Sequence, residues 1–390
     1  MKNPNGFYTV GDEKTYNKIY ALVHATEKKC IPQWNYFDDV FAAVDRTIIP
    51  VLSLSHLYKE RALQLREKYD YLILNYSGGS DSHNILTTFL ENKIKLDCVF
   101  VQWHVSLTDK NLYTKNPSIK TNDNFHSEWD LTLKKDLEWL AKYHPNIKIE
   151  VKDWVKSFAE DFYNDTLFEI NAGVMPNISR GLKLNTFSDT ETEMANKGLK
   201  VASIFGVDKP NVVSKDGCYY FYFTDKSCMT QPNPSNPDGV EYFYISPDMP
   251  ELTTTQAYQV AMWFSNQKKR THLIKAQSQR PEVLNFKLKD FFNEYEEYCE
   301  IVKEICYPNW DFNRFQAGKP VPGDNNLPYG LKPWDNILIK AGILKRAHEG
   351  YKFHWASYLR EIDQRYIREG EPIGIKSKWH FLGKLDEERY

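Results

Sequence analysis

Six consecutive residues, Ser77, Gly78, Gly79, Ser80, Asp81 and Ser82, concentrate the chemistry that this chain can offer an anion. Two adjacent glycines let a backbone enter φ > 0 and approach a ligand with no Cβ in the way. Ser77, Ser80 and Ser82 add hydroxyl donors. Asp81 is out of place beside an anion alone, so it points to a divalent cation such as Mg²⁺ or to a contact at a helix start. The same residue types also build ordinary turns and caps, and the flanks decide between these readings. Upstream, Tyr71–Tyr76 is a short apolar run that reads as a buried strand, and downstream Ser82–Glu91 reads as a helix. Strand, glycine-rich turn and helix is the setting a phosphate loop requires. The helix start presents unpaired N–H groups and the positive end of its dipole.

A second group follows the strand-like run Leu199–Gly206, where Asp208 and Lys209 stand directly after Gly206. Such a strand end is where the other side of a nucleotide site belongs. There Asp208 is a candidate Mg²⁺ ligand, and Lys209 is a candidate to neutralise a phosphate oxygen. The competing reading is a turn, since Asp and Pro are turn residues and Pro210 follows.

The elements that must carry these groups alternate. Leu96–Trp103 and Pro145–Val151 read as further strands, and Phe125–Tyr143 reads as a helix on the spacing of Trp129, Leu131, Leu133, Leu137 and Leu140. Strands alternating with helices predict an α/β fold: a parallel twisted sheet, right-handed crossovers, and a ligand at the carboxyl ends of the strands. Residues 155–200 read as helical and loop-rich, with Asn171–Arg180 a loop. Cys218–Thr224 reads as a hairpin strand, Gln231–Gly239 as a Pro/Asn-rich loop, and Thr253–Asn266 as a helix. The expected organisation is a helical N-terminal extension over 1–69, the nucleotide-binding α/β domain over 70–265 and a mainly helical C-terminal region over 266–390. The tail around Lys376–Gly383 is expected to dock.

The chain has 390 residues, of which 42% are apolar and 15% aromatic, and a net charge of −2. That composition supports a large core and excludes a disordered chain or a globally basic nucleic-acid binder. The six cysteines, Cys30, Cys98, Cys218, Cys228, Cys299 and Cys306, form no C-x-x-C pair, which gives no zinc knuckle or redox dithiol. No apolar stretch reaches bilayer length and the first residues lack a signal-peptide core, so a cytoplasmic protein is expected. His83, His104 and His126 lie near the loop in sequence. Lone histidines are usually structural, and none is assigned a role.

Tyr71–Ser82, with its S-G-G-x-D-S form, resembles the PP-loop or N-type ATP pyrophosphatase superfamily. That group includes asparagine, GMP and argininosuccinate synthetases, tRNA thiolases, 7-cyano-7-deazaguanine synthases and phosphoadenosine-phosphosulfate reductases. The resemblance covers about residues 70–265 and does not choose a member. Phe243–Leu252 resembles asparagine-synthase-related proteins of bacteria and their phages. The resemblance implies a HUP-like Rossmannoid domain that binds ATP and Mg²⁺. Pyrophosphate would lie on Ser77–Ser82, adenine against the end of the second strand near Phe100–Trp103, with Gln102 assigned to it, and Gly206 on the far side. It implies attack of a substrate oxygen on the α-phosphate, loss of pyrophosphate, and displacement of AMP by a nitrogen or sulfur nucleophile. Asp81 and Lys209 would be the catalytic side chains.

Departures narrow the family. Residue 2 is Lys rather than the cysteine of glutamine-using asparagine synthetases, and the loop begins too early for an upstream glutaminase domain. A separate ammonia or sulfur donor protein is therefore expected. The zinc-binding cysteine cluster of the deazaguanine synthases and the C-x-x-C pairs of two-thiocytidine thiolases are missing. The last cysteine is Cys306, unlike the cysteine-bearing C-terminal motif of the phosphosulfate reductases. Two alternatives remain open. One is a transferase acting on tRNA or another nucleic acid through Lys268, Lys269, Arg270, Lys340, Lys345 and Arg346, which also read as a solvated helix face. The other is an ATP- or AMP-binding module without catalysis.

Overall fold

The computed structural model describes residues 5–103, 129–153, 187–225, 228, 230–267, 288–307, 309–314, 361–368, 371–372 and 374–384. The loop expected over 171–180, the 155–186 part of the helical and loop-rich stretch, His104, His126 and the six basic positions between 268 and 346 lie outside the described residues.

Five parallel strands form the central sheet. They are β4 (Tyr71–Asn75), β5 (Cys98–Trp103), β6 (Lys148–Asp153), β7 (Val201–Phe205) and β10 (Val240–Tyr242), in the order β10-β7-β4-β5-β6. The chain starts in the middle at β4, steps outward to β5 and β6, then returns to the other side of β4 with β7 and β10. In register, Ile73 lies opposite Cys98 on one side and Ser203 on the other. A parallel strand buried on both faces needs a continuous apolar run, and Leu72, Ile73 and Leu74 are all fully buried.

Alternation along the strands sorts the two faces. Leu72, Leu74, Val99, Val101, Ala202 and Ile204 belong to the main core. That core also holds Ile85, Leu86 and Phe89 of α4 (Ser80–Glu91) and Leu137 and Leu140 of α5 (Lys134–Tyr143). Ile73, Cys98, Phe100 and Val201 face the other way, against Met194 and Ala195 of α6 (Asp189–Asn196). Helices thus lie on both faces, as the α/β expectation requires.

The N-terminal region departs from the purely helical expectation. It contains α1 (Lys18–Glu27), α2 (Asp38–Ala42) and α3 (Leu54–Lys68), but also an antiparallel sheet, β2-β1-β3, built from Phe7–Val10, Glu13–Thr15 and Gln33–Asn35. A third sheet joins β8 (Asn211–Lys215) and β9 (Cys218–Tyr222), a hairpin turning at Asp216 and Gly217, to β13 (His380–Gly383). The tail therefore docks as a strand. Helices α7 (Pro250–Asn266) and α8 (Leu288–Cys306) and a two-stranded antiparallel ladder of β11 (Ile367–Arg368) and β12 (Glu371–Pro372) also belong to the described architecture. One hydrophobic cluster runs from Tyr8 to Leu382, so all three expected segments share a core.

Candidate functional site

Because β5 and β7 lie on opposite sides of β4, the strand order reverses beside β4. In open α/β sheets such a switch point opens a crevice at the carboxyl ends of the strands. The connection after β4 is Ser77–Gly79 and that after β7 is Gly206–Pro210, so the two groups picked out in the sequence flank this crevice.

The loop folds on itself. The Ser77 N–H donates to Ser82 Oγ at 3.2 Å, the two hydroxyl oxygens lie 3.2 Å apart, and Ser82 Oγ donates to Gly79 O at 3.2 Å. Gly78 has φ +75°, and a Cβ there would stand 3.1 Å from Leu133 Cδ2. Only glycine adopts that conformation without strain in so little space. Gly79 precedes α4 in extended conformation and no side chain caps the helix start. The initial N–H groups of a helix have no intrahelical acceptor, which suits an anion. At Gly206 a Cβ would lie 3.1 Å from Ser82 N, so a larger residue at the end of β7 would crowd this helix start.

Asp81, in the first turn of α4, meets the second group directly. Lys209 Nζ forms an ion pair with Asp81 Oδ1 and stands 3.7 Å from Asp208 Oδ1. Burial pulls the Lys209 pKa down, but the carboxylates of Asp81 and Asp208 outweigh it and raise it above the usual lysine value. The ammonium is therefore fixed as a cation. Asp81 and Asp208 thus both face one ammonium. Among the described residues no three His, Cys, Asp or Glu side chains gather as a metal site. Were Mg²⁺ to bind here, Asp81 and Asp208 are the side chains that would hold it, since Mg²⁺ takes one or two carboxylates with phosphate oxygens and water completing its shell.

Three tyrosine-centred groups of contacts were not legible as site contacts in the sequence. Tyr307, just after α8, donates its hydroxyl to Asp81 Oδ1 at 2.7 Å. Tyr244 donates to the Asp81 carbonyl at 2.8 Å and accepts from Asn84 Nδ2 at 3.0 Å. On the other side of α4, the Tyr76 hydroxyl donates to Asp136 Oδ2 at 2.6 Å and lies 3.0 Å from His83 Nδ1, while Arg314 pairs with Asp136. With the Tyr76 proton on Asp136, His83 Nδ1 is the donor to Tyr76. Burial and then the Arg314 cation lower His83 to about 4, against the opposing effect of Asp136, so the imidazole is neutral at physiological pH.

A cleft opens on the α6 side of the same sheet edge. It is lined by Asn75, Phe100, Gln102, Glu191, Ser203 and Phe205, among others. Gln102 thus faces a cavity at the strand ends, while Gly206 and the loop stand around the switch point. Glu191 is buried and its Oε1 accepts from Asn236 Nδ2 at 2.9 Å; burial raises its pKa, against hydrogen bonds from Asn236, Asn233 and Ser203.

No helix among the described residues is long and apolar enough to cross a membrane. Comparison of the chain with family models, with curated proteins and with solved structures returns no match.

Proposed function

We propose that this protein is an ATP-dependent adenylating enzyme of the PP-loop type, which converts ATP to AMP and pyrophosphate while activating an acceptor. The observation that carries the reading is the meeting of the uncapped α4 start and its glycine turn with Asp81, Asp208 and Lys209 at the sheet's switch point. In-line displacement at phosphorus asks a protein mainly for positioning and for neutralisation of the departing charge. The N–H groups at the start of α4 bind the β- and γ-phosphates, and Lys209 supplies a fixed positive charge. Mg²⁺, when bound at Asp81 and Asp208, neutralises further phosphate charge. The reading also asks for adenine near Gln102; the cleft that Gln102 lines holds about 10 Å³, room for about one water, so a base enters there only as that end of the sheet opens.

In the reaction, an acceptor oxygen attacks the α-phosphorus. A new P–O bond forms, the bridging bond to the β-phosphate breaks, and pyrophosphate leaves with the electron pair. A nitrogen or sulfur nucleophile then attacks the activated carbon and AMP departs.

The test is turnover of ATP with Mg²⁺ by the full chain, following AMP, ADP and pyrophosphate separately across small carboxylate, amide and tRNA acceptors. AMP and pyrophosphate in equal amounts, dependent on one acceptor and lost in a Gly78→Val and Asp81→Asn double variant, support the proposal. Undiminished turnover in that variant overturns the site. Tight ATP binding with no turnover on any acceptor favours a binding module.

A further inference from the structure

Asp81 is the residue on which the proposed site depends, and its Oδ1 already has two donors. One is Lys209, which comes from the α/β domain itself. The other is Tyr307, 226 residues further along the chain. Tyr307 is almost wholly buried. Its ring centroid lies 5.4 Å from Lys209 Nζ and 5.5 Å from the ring of Tyr244, which in turn holds the Asp81 carbonyl. The tyrosine therefore covers both members of the Asp81–Lys209 pair.

Two more contacts extend this cover along the chain. Trp310 packs edge-on against His83, with ring centroids 5.7 Å apart, and Arg314 lies over Trp310 and pairs with Asp136. The Trp310 N–H donates to Tyr307 O at 2.9 Å and the Arg314 N–H donates to Asp311 O at 3.1 Å. Tyr307 and Trp310 thus grip the first turn of α4 from the Asp81 side round to the His83 side, and Arg314 anchors the same segment to α5 through Asp136.

A carboxylate oxygen offers two lone pairs, and Lys209 and Tyr307 take both at Oδ1. A cation coordinated at Oδ1 displaces one of them, and a cation at Oδ2, which Ser80 Oγ approaches at 3.4 Å, draws charge away from both. Lys209 has the Asp208 carboxylate and incoming phosphate oxygens as further partners, whereas Tyr307 loses its charged acceptor and keeps only the neutral Tyr244 hydroxyl. The geometry points to Tyr307 as a built-in competitor for Asp81: the grip of Tyr307 and Trp310 on α4 and the binding of a cation-bearing nucleotide oppose each other. By linkage, whatever fixes this C-terminal segment elsewhere also lowers nucleotide affinity, and the reverse. The inference rests on the nucleotide reading of the site.

Tyr307→Phe keeps the ring and removes only the hydroxyl. In the full chain it is expected to bind ATP with Mg²⁺ roughly ten- to a hundredfold more tightly than the parent, the size of one hydrogen bond to a charged group. Tyr8→Phe, far from the loop, leaves that affinity unchanged. In the parent, ATP with Mg²⁺ accelerates hydrogen exchange at the Trp310 and Arg314 amides. Unchanged or weaker binding by the variant, or slower exchange with ligand, overturns the inference and makes Tyr307 a positioning group for Asp81. If neither protein binds ATP, the nucleotide reading falls. Ligand-free exchange then decides whether the grip itself is real: Tyr307→Phe should exchange about fivefold faster at both amides, and equal rates overturn it.

Discussion

The molecule contains the same three residue types in the same arrangement twice. Lys18 and Tyr8 both contact Asp225 Oδ2 at 2.8 Å, as Lys209 and Tyr307 both contact Asp81 Oδ1. The surroundings differ. Lys18 and Asp225 are 3% and 1% exposed, while Lys209 and Asp81 are 14% and 27% exposed. The remaining Asp225 oxygen takes the Ile375 N–H at 2.9 Å, so that cluster ties the N-terminal sheet, the segment after β9 and the C-terminal tail together. Lys209, by contrast, has a second carboxylate at hand in Asp208 and a helix start beside it. One triad is closed on itself and structural. The other has alternative partners, which is what ligand exchange requires.

The largest test of this contrast removes each aspartate. Asp225→Asn leaves the Lys18 cation buried without its counter-charge, and the expected loss is about 3–5 kcal/mol in urea unfolding. Asp81→Asn should cost less, about 1–2 kcal/mol, because Asp81 is partly exposed and Asp208 remains as a counter-charge for Lys209, but it should lower AMP formation roughly a hundredfold. Equal stability losses would end the distinction.

Acid probes both regions next. Each holds a neutral histidine. His380 lies among Phe41, Phe221 and Phe223, and burial, then Arg46 and Lys378, lower it to about 4. Its Nε2 stands 3.6 Å from Asp38 Oδ1, a contact that is not an ion pair at neutral pH. His83 is held near the same value beside the loop. A folded pKa below the unfolded value of about 6.5 contributes stability that is complete above pH 6.5 and is lost as pH falls toward 4. For the buried His380 the loss is on the order of 3 kcal/mol. Urea midpoints measured between pH 7.5 and 4.5 should fall, and His380→Phe should flatten that fall more than His83→Gln, because His83 is the more exposed. A rise on acidification would contradict both assignments.

Two glycines sharpen the contrast at smaller scale. Gly78 and Gly217 have φ of +75° and +73°, but only Gly78 has neighbours where a Cβ would go. Gly78→Ala is expected to cost about 2 kcal/mol and at least tenfold in AMP formation, and Gly217→Ala about 1 kcal/mol with turnover intact. Matching thermal shifts for the pair would show that Leu133 yields without cost.

The loop and its strand and helix were legible because glycine punctuation, an apolar run and helical spacing act locally. The meeting of Asp81 with Lys209 followed from both groups ending parallel strands. The β2-β1-β3 sheet was not legible. Its strands are three or four residues long and include Glu13–Thr15 and Gln33–Asn35, too short and too polar to show an alternating pattern. Tyr307 leaves no sequence signal, because its partner is set by how α8 packs on α7. Tyr244 stood inside the Phe243–Leu252 resemblance, but a tyrosine hydroxyl on a backbone carbonyl has no spacing rule. Asp136 and Arg314 meet only through tertiary packing.

The strand order also bears on synthesis. β4 occupies the centre of the sheet, yet its neighbour β7 lies far ahead in the chain, with Tyr71 paired to Val201. At about 5–20 residues per second, a ribosome takes roughly 7–26 s to make that intervening length. Through that interval one edge of an apolar strand stays without its native neighbour, a state prone to misassociation. The whole length of chain between β4 and β7 thus sets the delay before the centre of the sheet can close.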